Sequence, residues 1–309
     1  MATKLKSIRL QRYYGYLDTS FNFVREDGKI NDMCVFYGPN GVGKSTVLNA
    51  VVLACTARRL EAFSNLDDDR NKAFFKKMVF SEDGLRGYEM FSKDEKPMIL
   101  TAKFDEDGIE KVVEINSEKG VVRNELTNED SCVKIDADHP MNMNKFQIHK
   151  DYSEKFLDLS NTVYGLNCEL GKTVNEQNQY ANKKIQELVG IFDGEINKNI
   201  NTDYDIYADF VINKIYPKTR VHYKNMSDGE KKIATLIRNL CEVPNDIIVI
   251  DNIEMHVYFK RHKTMIDKIK SVFPNKQFIA TTHSGVLVEK MDKEELYDIE
   301  YYRMNEGNV

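Results

Sequence analysis

The sequence predicts an α/β fold whose core is assembled from both ends of the chain. The apolar run 33–37 stops at a glycine-rich turn and is followed by apolar residues at helical spacing, which is typical of a buried strand leading into a helix. The aliphatic runs 247–250 and 278–281 each end in polar residues and indicate two further buried strands. Strands from the two ends of the chain therefore share one core.

Hydrophobic periodicity predicts the segments between these strands. Residues on either side of Gly15 alternate between apolar and polar, and the region 98–126 does the same with turns in between, so both are predicted to be antiparallel strands. The apolar stripe from Ala181 to Ile196 predicts one long helix. The segment 259–272 is predicted to be a basic helix that Pro274 closes.

These patterns predict three segments. Residues 1–150 form the N-terminal half of the core with the glycine-rich loop and an antiparallel β-subdomain. Residues 151–240 form a helical lobe, and residues 241–309 return to the core. A chain of 309 residues is long enough for such a core with an inserted lobe.

Composition excludes several classes of protein. The net charge of −5 argues against a purely electrostatic nucleic-acid binder. The five cysteines are scattered without a paired spacing, which predicts reduced thiols in a cytoplasmic protein. No run approaches the roughly 18 apolar residues of a membrane span, so no membrane partner is expected.

The stretch 38–45 satisfies the pattern GxxxxGK[ST] between a predicted strand and a predicted helix. Glycines allow backbone N–H groups to close around phosphates, and the helix N-terminus favours their negative charge. Lys44 neutralises the outer phosphates in such a loop, and the Ser45 hydroxyl completes a Mg²⁺ shell. The strand–loop–helix context makes a chance glycine-rich turn improbable. The nucleotide-binding candidates are Gly38, Asn40, Gly41, Gly43, Lys44, Ser45 and Thr46.

Two further stretches complete this chemistry. Asp251 ends an aliphatic strand, where a carboxylate can hold Mg²⁺ beside the loop. Ser227 and Gly229 stand before an apolar periodic run and predict a second helix N-terminus suited to an anion. An ordinary helix cap is the alternative interpretation of Ser227.

Four motifs resemble one family. The residues Ser227-Asp228-Gly229-Glu230 resemble the ABC signature as written in SMC-like and OLD-like (overcoming lysogenization defect) ATPases. Residues 251–256 resemble the DEPE-x-H stretch of that group, Thr281-Thr282-His283-Ser284 resembles its TTHS switch segment, and residues 8–23 resemble its first strand pair. The resemblance follows the whole chain in the expected order and implies an ABC-type P-loop ATPase core.

This resemblance implies that ATP binds between two copies of the chain. The loop of one copy would hold ATP and Mg²⁺, while Ser227, Gly229 and Glu230 of the other copy would lie at the γ-phosphate. His283 would contact the γ-phosphate from the side of the loop. Gln147 is the candidate for a family glutamine that contacts Mg²⁺ and the attacking water. The implied assembly is a homodimer or a higher homo-oligomer.

Two departures from the family matter. The general-base position directly after Asp251 holds Asn252, and an amide cannot accept a proton, so slow hydrolysis is expected unless Glu254 takes over. Neither the long coiled-coil arms of SMC proteins nor the C-terminal Toprim domain of OLD-type nucleases is expected from the sequence. The resemblance then implies an ATPase module that switches a separate effector, a nuclease or a toxin, in bacterial or phage defence or in DNA repair.

Several alternatives remain open. One alternative function is a non-hydrolysing scaffold that senses ATP. Another is the nucleotide-binding domain of a transporter, although the signature motif argues against it. A nucleic-acid surface at Lys260 to Lys263 competes with the reading of that segment as a solvated helix face. One of Tyr13, Tyr14 and Tyr16 is a candidate for stacking on adenine, and packing on a strand face is the alternative.

Overall fold

The structure is a computed structural model. It describes residues 2–61, 70–71, 75, 79, 96–128, 131–136, 196–197, 211–214, 219–222, 246–254 and 257–305. The chain divides into two compact units, one formed by Met1–Lys134, Asn245–Ile253 and Asn275–Val309, the other by Ile135–Pro244 and Glu254–Pro274. Each unit is described by itself.

The strands and the helices of the described residues are each numbered in chain order. The strands are β1 (Thr3–Tyr13), β2 (Tyr16–Asn22), β3 (Met33–Tyr37), β4 (Ile99–Glu106), β5 (Ile109–Asn116), β6 (Gly120–Asn124), β7 (Cys132–Asp136), β8 (Ile196–Asn197), β9 (Val211–Lys214), β10 (Thr219–His222), β11 (Ile247–Asp251), β12 (Gln277–Thr281) and β13 (Leu296–Asp298). The helices are α1 (Lys44–Cys55), α2 (Ala57–Glu61), α3 (His262–Val272), α4 (Gly285–Lys290) and α5 (Ile299–Met304), with 3₁₀ turns at Phe259–Arg261 and Lys293–Glu295.

An antiparallel sheet in the order β2-β1-β4-β5-β6 belongs to the first unit. Apolar and polar residues alternate along its strands because only one face of the sheet is buried. Ile8 pairs with Phe21 on one side and with Ala102 on the other, and all three side chains are fully buried. The predicted strand pair around Gly15 and the predicted β-subdomain are both present, and they form one sheet.

A second sheet, in the order β13-β3-β12-β11-β7, carries the parallel strands of the same unit. The pairs β11–β12, β12–β3 and β13–β3 are parallel, and β3 lies between β12 and β13. The residues of β12 are all buried, which explains why this strand reads as a continuous apolar run. Because the strands are parallel, the carboxyl ends of β3, β12 and β11 lie at one edge of the sheet.

The helix α1 joins the two sheets into one hydrophobic core. Its residues Val47, Leu48 and Val51 are fully buried in a cluster that contains Leu10 of the antiparallel sheet and Val249 of the parallel sheet. The core therefore fixes the N-terminal end of α1 at the carboxyl edge of β3.

The Gln277 side chain ties the two sheets together at the start of β12. Its Oε1 accepts the N–H of Leu5 at 2.7 Å, and its Nε2 donates to the carbonyl oxygens of Leu5 at 2.9 Å and Asn31 at 3.1 Å. Gln277 is completely buried, and its amide satisfies three backbone groups.

The second unit contains a small antiparallel sheet in the order β10-β9-β8. These strands lie within 151–240, so the helical prediction does not hold for them, and Ile196 of the predicted long helix is in β8. The predicted basic helix is confirmed as a 3₁₀ turn followed by α3, which buries Met265, Ile266 and Ile269. Among the described residues, no helix has the length and apolarity needed to cross a bilayer.

Candidate nucleotide-binding site

The glycine-rich loop leaves β3 at Tyr37 and enters α1 at Lys44. Gly41 and Gly43 have φ angles of 75° and 107°, a region that side chains with a Cβ rarely adopt. A Cβ on Gly43 would also lie 2.9 Å from the hydroxyl oxygen of Tyr16, so the position excludes larger residues twice over. The glycines are therefore required by the shape of the loop.

The Lys44 side chain lies against the backbone of this loop. Its Nζ donates to the carbonyl oxygens of Gly38 and Pro39, both at 2.9 Å, and the residue is only 7% exposed. A buried ammonium needs such acceptors, and the loop carbonyls supply them. The arrangement holds a positive charge at the mouth of a helix N-terminus, where an anion is favoured.

Ser45 and Thr46 follow in the first turn of α1. Ser45 is exposed, which leaves its hydroxyl oxygen accessible to a cation, and Thr46 is half-buried. The N–H groups of Thr46 and Val47 both approach the carbonyl oxygen of Gly43, at 3.1 and 3.3 Å. Helical hydrogen bonding thus begins at Gly43.

Asp251 and Asn252 are held against β12 by Thr281. The Thr281 hydroxyl donates to Oδ1 of Asp251 and accepts the N–H of Asn252 at 2.8 Å. The N–H of Ile253 donates to the Thr281 carbonyl oxygen at 3.0 Å. One threonine therefore fixes both the carboxylate and the turn that follows it.

Asn252 has a left-handed backbone with φ of 53°. Asparagine and aspartate adopt this conformation more readily than other residues with a Cβ. The asparagine that departs from the family pattern thus stands where the backbone favours it.

His283 lies in the turn between β12 and α4 and is exposed. The turn is fixed on both sides: Thr282 is buried and its N–H donates to the Phe36 carbonyl oxygen at 3.0 Å, and Ser284 caps α4 by accepting the N–H of Leu287 at 3.1 Å. His283 therefore stands at the same sheet edge as the glycine-rich loop and Asp251.

The remaining site predictions are Glu254 and four residues outside the described ranges. Glu254 is half-buried and belongs to the second unit, and its carbonyl oxygen accepts the N–H of Val257 at 3.1 Å. Gln147, Ser227, Gly229 and Glu230 lie outside the described residues. Their roles stay predictions.

The donor set suits a polyphosphate with Mg²⁺. The loop has glycines with positive φ angles, a buried lysine ammonium and a helix N-terminus. The Ser45 hydroxyl and the Asp251 carboxylate are oxygen ligands of the kind Mg²⁺ takes together with substrate phosphates. Within the described ranges no cluster of three or more His, Cys, Asp or Glu side chains is placed to hold a metal by itself.

Two residues contact the glycine-rich loop although no motif in the sequence indicates it. The Tyr16 hydroxyl donates to the carbonyl oxygen of Gly43 at 2.9 Å, and Nη1 of Arg303 donates to the carbonyl oxygen of Val42 at 3.1 Å. Tyr13 and Tyr16 are 2% and 1% exposed and pack in the core, which is the strand-packing alternative rather than stacking on adenine.

Comparison with known proteins found a matching family model and curated relatives. A family model described as an AAA domain matches residues 7–271. The Retron Vc95 probable ATPase of Vibrio cholerae serotype O1 biovar El Tor is 24% identical over 173 residues, covering 48% of this chain and 33% of that protein. The Retron Ec83 probable ATPase of Escherichia coli is 25% identical over 158 residues, covering 42% and 29%. The alignments thus span about a third of the length of these curated relatives.

Solved structures show the same fold. The Smc head bound to the C-winged helix domain of ScpA superposes with a TM-score of 0.61 at 15% identity, covering 93% of this chain and 92% of that one. The Smc head domain with an extended coiled coil, bound to the C-terminal domain of ScpA derived from Pyrococcus furiosus, gives 0.52 at 14% identity, covering 94% and 92%. The fold is that of an SMC-like ABC-type P-loop ATPase core.

Proposed function

The chain belongs to the AAA domain family, and we propose that it binds ATP with Mg²⁺, dimerises through the bound ATP and hydrolyses it slowly to switch a partner protein. The observation that carries this proposal is the loop itself. Lys44 is buried against the carbonyl oxygens of Gly38 and Pro39 at the head of α1, with Asp251 and His283 at the same sheet edge.

Each described residue has a separate task in this proposal. Bound Mg²⁺ would supply charge neutralisation at the β- and γ-phosphates. Lys44 would turn from its loop carbonyls to phosphate oxygens, and Ser45 and Asp251 would hold the cation. The Thr281 hydroxyl, which donates to Oδ1 of Asp251, would keep that carboxylate oriented. Asn252 would orient water without accepting its proton, so turnover is expected to be slow.

Dimerisation rests on the resemblance to ABC signatures. Ser227, Gly229 and Glu230 of one copy would complete the site of the other, as in the OLD-like group to which we assign the chain. A defence role, with a nuclease or toxin as the effector, is supported by the two retron ATPases among its relatives. Nucleic acid, if bound, is expected to bind weakly and with strong salt dependence, because the net charge is −5.

Light scattering with and without ATP-Mg²⁺ tests the proposal. Wild-type protein should double its apparent mass on ATP addition, and Lys44→Ala should lose both ATP binding and the mass increase. Lys29→Ala is the matched control, because that lysine side chain is 81% exposed and pairs only with the nearby Asp27 among the contacts described. Ser227→Arg should bind ATP and stay monomeric. A normal dimer in Ser227→Arg would contradict the signature assignment.

A non-hydrolysing ATP sensor is the second candidate, and Asn252 is the observation that favours it. Phosphate release separates the two functions. Turnover that Lys44→Ala abolishes identifies an ATPase. ATP-dependent dimers with no phosphate release identify the sensor.

A further inference from the structure

We infer that Arg303 and Tyr16 are positioning residues of the glycine-rich loop, which hold two consecutive peptide groups so that their N–H groups face the phosphates. This inference rests on the proposed binding of ATP at that loop. It assigns a function to the C-terminal helix α5, which carries none of the nucleotide-binding motifs.

Arg303 reaches the loop from the last turn of α5. Its Nη1 donates to the Val42 carbonyl oxygen at 3.1 Å, and its guanidinium carbon lies 5.9 Å from the centre of the Tyr16 ring. A Cβ on Gly15 would lie 3.0 Å from Nη2 of Arg303, so the glycine at the β1–β2 turn leaves the space that the guanidinium occupies.

The helix that carries Arg303 is itself well anchored. Asp298 caps it by accepting the N–H of Glu300 at 3.0 Å, and Ile299 is fully buried. The ring of Tyr302 packs at 4.8 Å from that of Phe21. The strand β13, which leads into α5, pairs with β3, which leads into the loop, so one sheet supports both ends of the contact.

Tyr16 adds a contact to the next peptide group, whose Gly43 carbonyl oxygen also accepts the N–H groups of Thr46 and Val47 in the first turn of α1. Its hydroxyl donates to the Gly43 carbonyl oxygen at 2.9 Å, and the residue is only 1% exposed. The tyrosine and the arginine thus bind the carbonyl oxygens of Gly43 and Val42 from outside the loop.

Peptide geometry converts these two contacts into an orientation of donors. In a trans peptide the carbonyl and the N–H point in opposite directions. A Val42 carbonyl held by Arg303 directs the Gly43 N–H away from Arg303, and a Gly43 carbonyl held by Tyr16 directs the Lys44 N–H away from Tyr16. These are the N–H groups that cradle phosphates in a loop of this type.

The loop needs such anchors because glycine flanks the Val42 residue on both sides. Gly41 and Gly43 both have positive φ angles and carry no Cβ to restrict a rotation of the intervening peptides. Contacts from β2 and α5 therefore preorganise the cradle, which lowers the ordering cost of binding.

Competition binding tests the inference with a fluorescent ATP analogue as the probe and inorganic tripolyphosphate as the competitor. Arg303→Ala and Tyr16→Phe should each weaken both ligands about five- to tenfold, the loss expected for one hydrogen bond. The loss of affinity should be equal for ATP and tripolyphosphate, because the loop N–H groups that lose their orientation are proposed to contact phosphates and not the nucleoside. Equal melting temperatures show that the fold is intact.

Conservative variants separate positioning from simple attraction of charge. Arg303→Lys keeps the positive charge, but its ammonium nitrogen lies one bond closer to the backbone than Nη1 of arginine. An effect of charge alone would therefore be restored by Arg303→Lys, whereas loss of the hydrogen bond to the Val42 carbonyl oxygen would not. Met304→Ala and Tyr302→Phe are the matched controls and should bind like wild type; Met304 is 75% exposed.

The outcomes distinguish this inference from the proposed function. Failure of the wild-type chain to bind either ligand would refute ATP binding itself. Wild-type affinity in Arg303→Ala and Tyr16→Phe, with Lys44→Ala inactive in binding, would overturn the positioning role alone. Loss of ATP affinity with unchanged tripolyphosphate affinity would also overturn it, since that result places both residues at the nucleoside.

Discussion

Replacing Asn252 by a carboxylate tests why the proposed ATPase should be slow. The amide can orient water but cannot take its proton, and a general base is worth about 10²–10⁴-fold in rate. Asn252→Asp and Asn252→Glu should therefore raise turnover towards that range while ATP affinity changes little.

The backbone makes the two variants unequal. Asn252 has a φ of 53°, a conformation that costs most residues with a Cβ about 1–2 kcal/mol and that aspartate, like asparagine, tolerates better. The Asn252→Glu variant should therefore be about 1 kcal/mol less stable than wild type, which lowers the melting temperature by about 2–4 °C in a chain of this size. The Asn252→Asp variant should have a melting temperature close to that of wild type, although its carboxylate extends less far from the backbone than that of glutamate.

Steady-state phosphate release at saturating ATP, with the dimer confirmed, measures the effect. Asn124→Asp makes the same chemical change on β6, the outer strand of the antiparallel sheet, and should leave turnover unchanged. The competing explanation is that Glu254 acts as the base. Unchanged rates in both Asn252 variants, together with arrest in Glu254→Gln, would refute the reasoning.

Three further predictions follow from contacts in the first unit. Gln277→Ala should lower the free energy of unfolding in urea by about 2–4 kcal/mol, because three buried backbone groups lose their partner, while Gln11→Ala on a half-buried strand face should change it little. Thr281→Val should raise the Mg²⁺ concentration for half-maximal turnover about tenfold, because the Asp251 carboxylate loses its hydrogen bond; an unchanged Mg²⁺ titration would argue against Asp251 as a ligand. Gly43→Ala should abolish binding of fluorescent ATP, since its Cβ would meet a hydroxyl oxygen at 2.9 Å, and retained binding would show that the loop can relax.

Local patterns in the sequence predicted the parts of the site that are local in the chain. The glycine-rich loop is a contiguous motif, and Asp251 and His283 follow aliphatic strands whose ends can be read from hydrophobicity. Parallel strands bring such ends to one edge, so their proximity follows from topology.

Contacts between distant residues left no such pattern. Tyr16 and Gly43 are 27 positions apart, and Arg303 and Val42 are 261 apart. Only the packing of α5 and β2 against the loop reveals those partners. The strands β8 to β10 were missed because they are two to four residues long, too short for periodicity to distinguish them from a helix.

The position of β3 between β12 and β13 has a consequence for biosynthesis. The strand that leads into the loop is translated early, yet both of its neighbours in the sheet come from residues 277–298. Until those residues have left the ribosome, β3 has two unpaired edges and the surrounding apolar surface is uncovered. Pairings across such separations close slowly, and the waiting chain is exposed to aggregation. A chaperone that binds nascent apolar strands should therefore increase the yield of this protein more than that of a domain of equal size with local pairings.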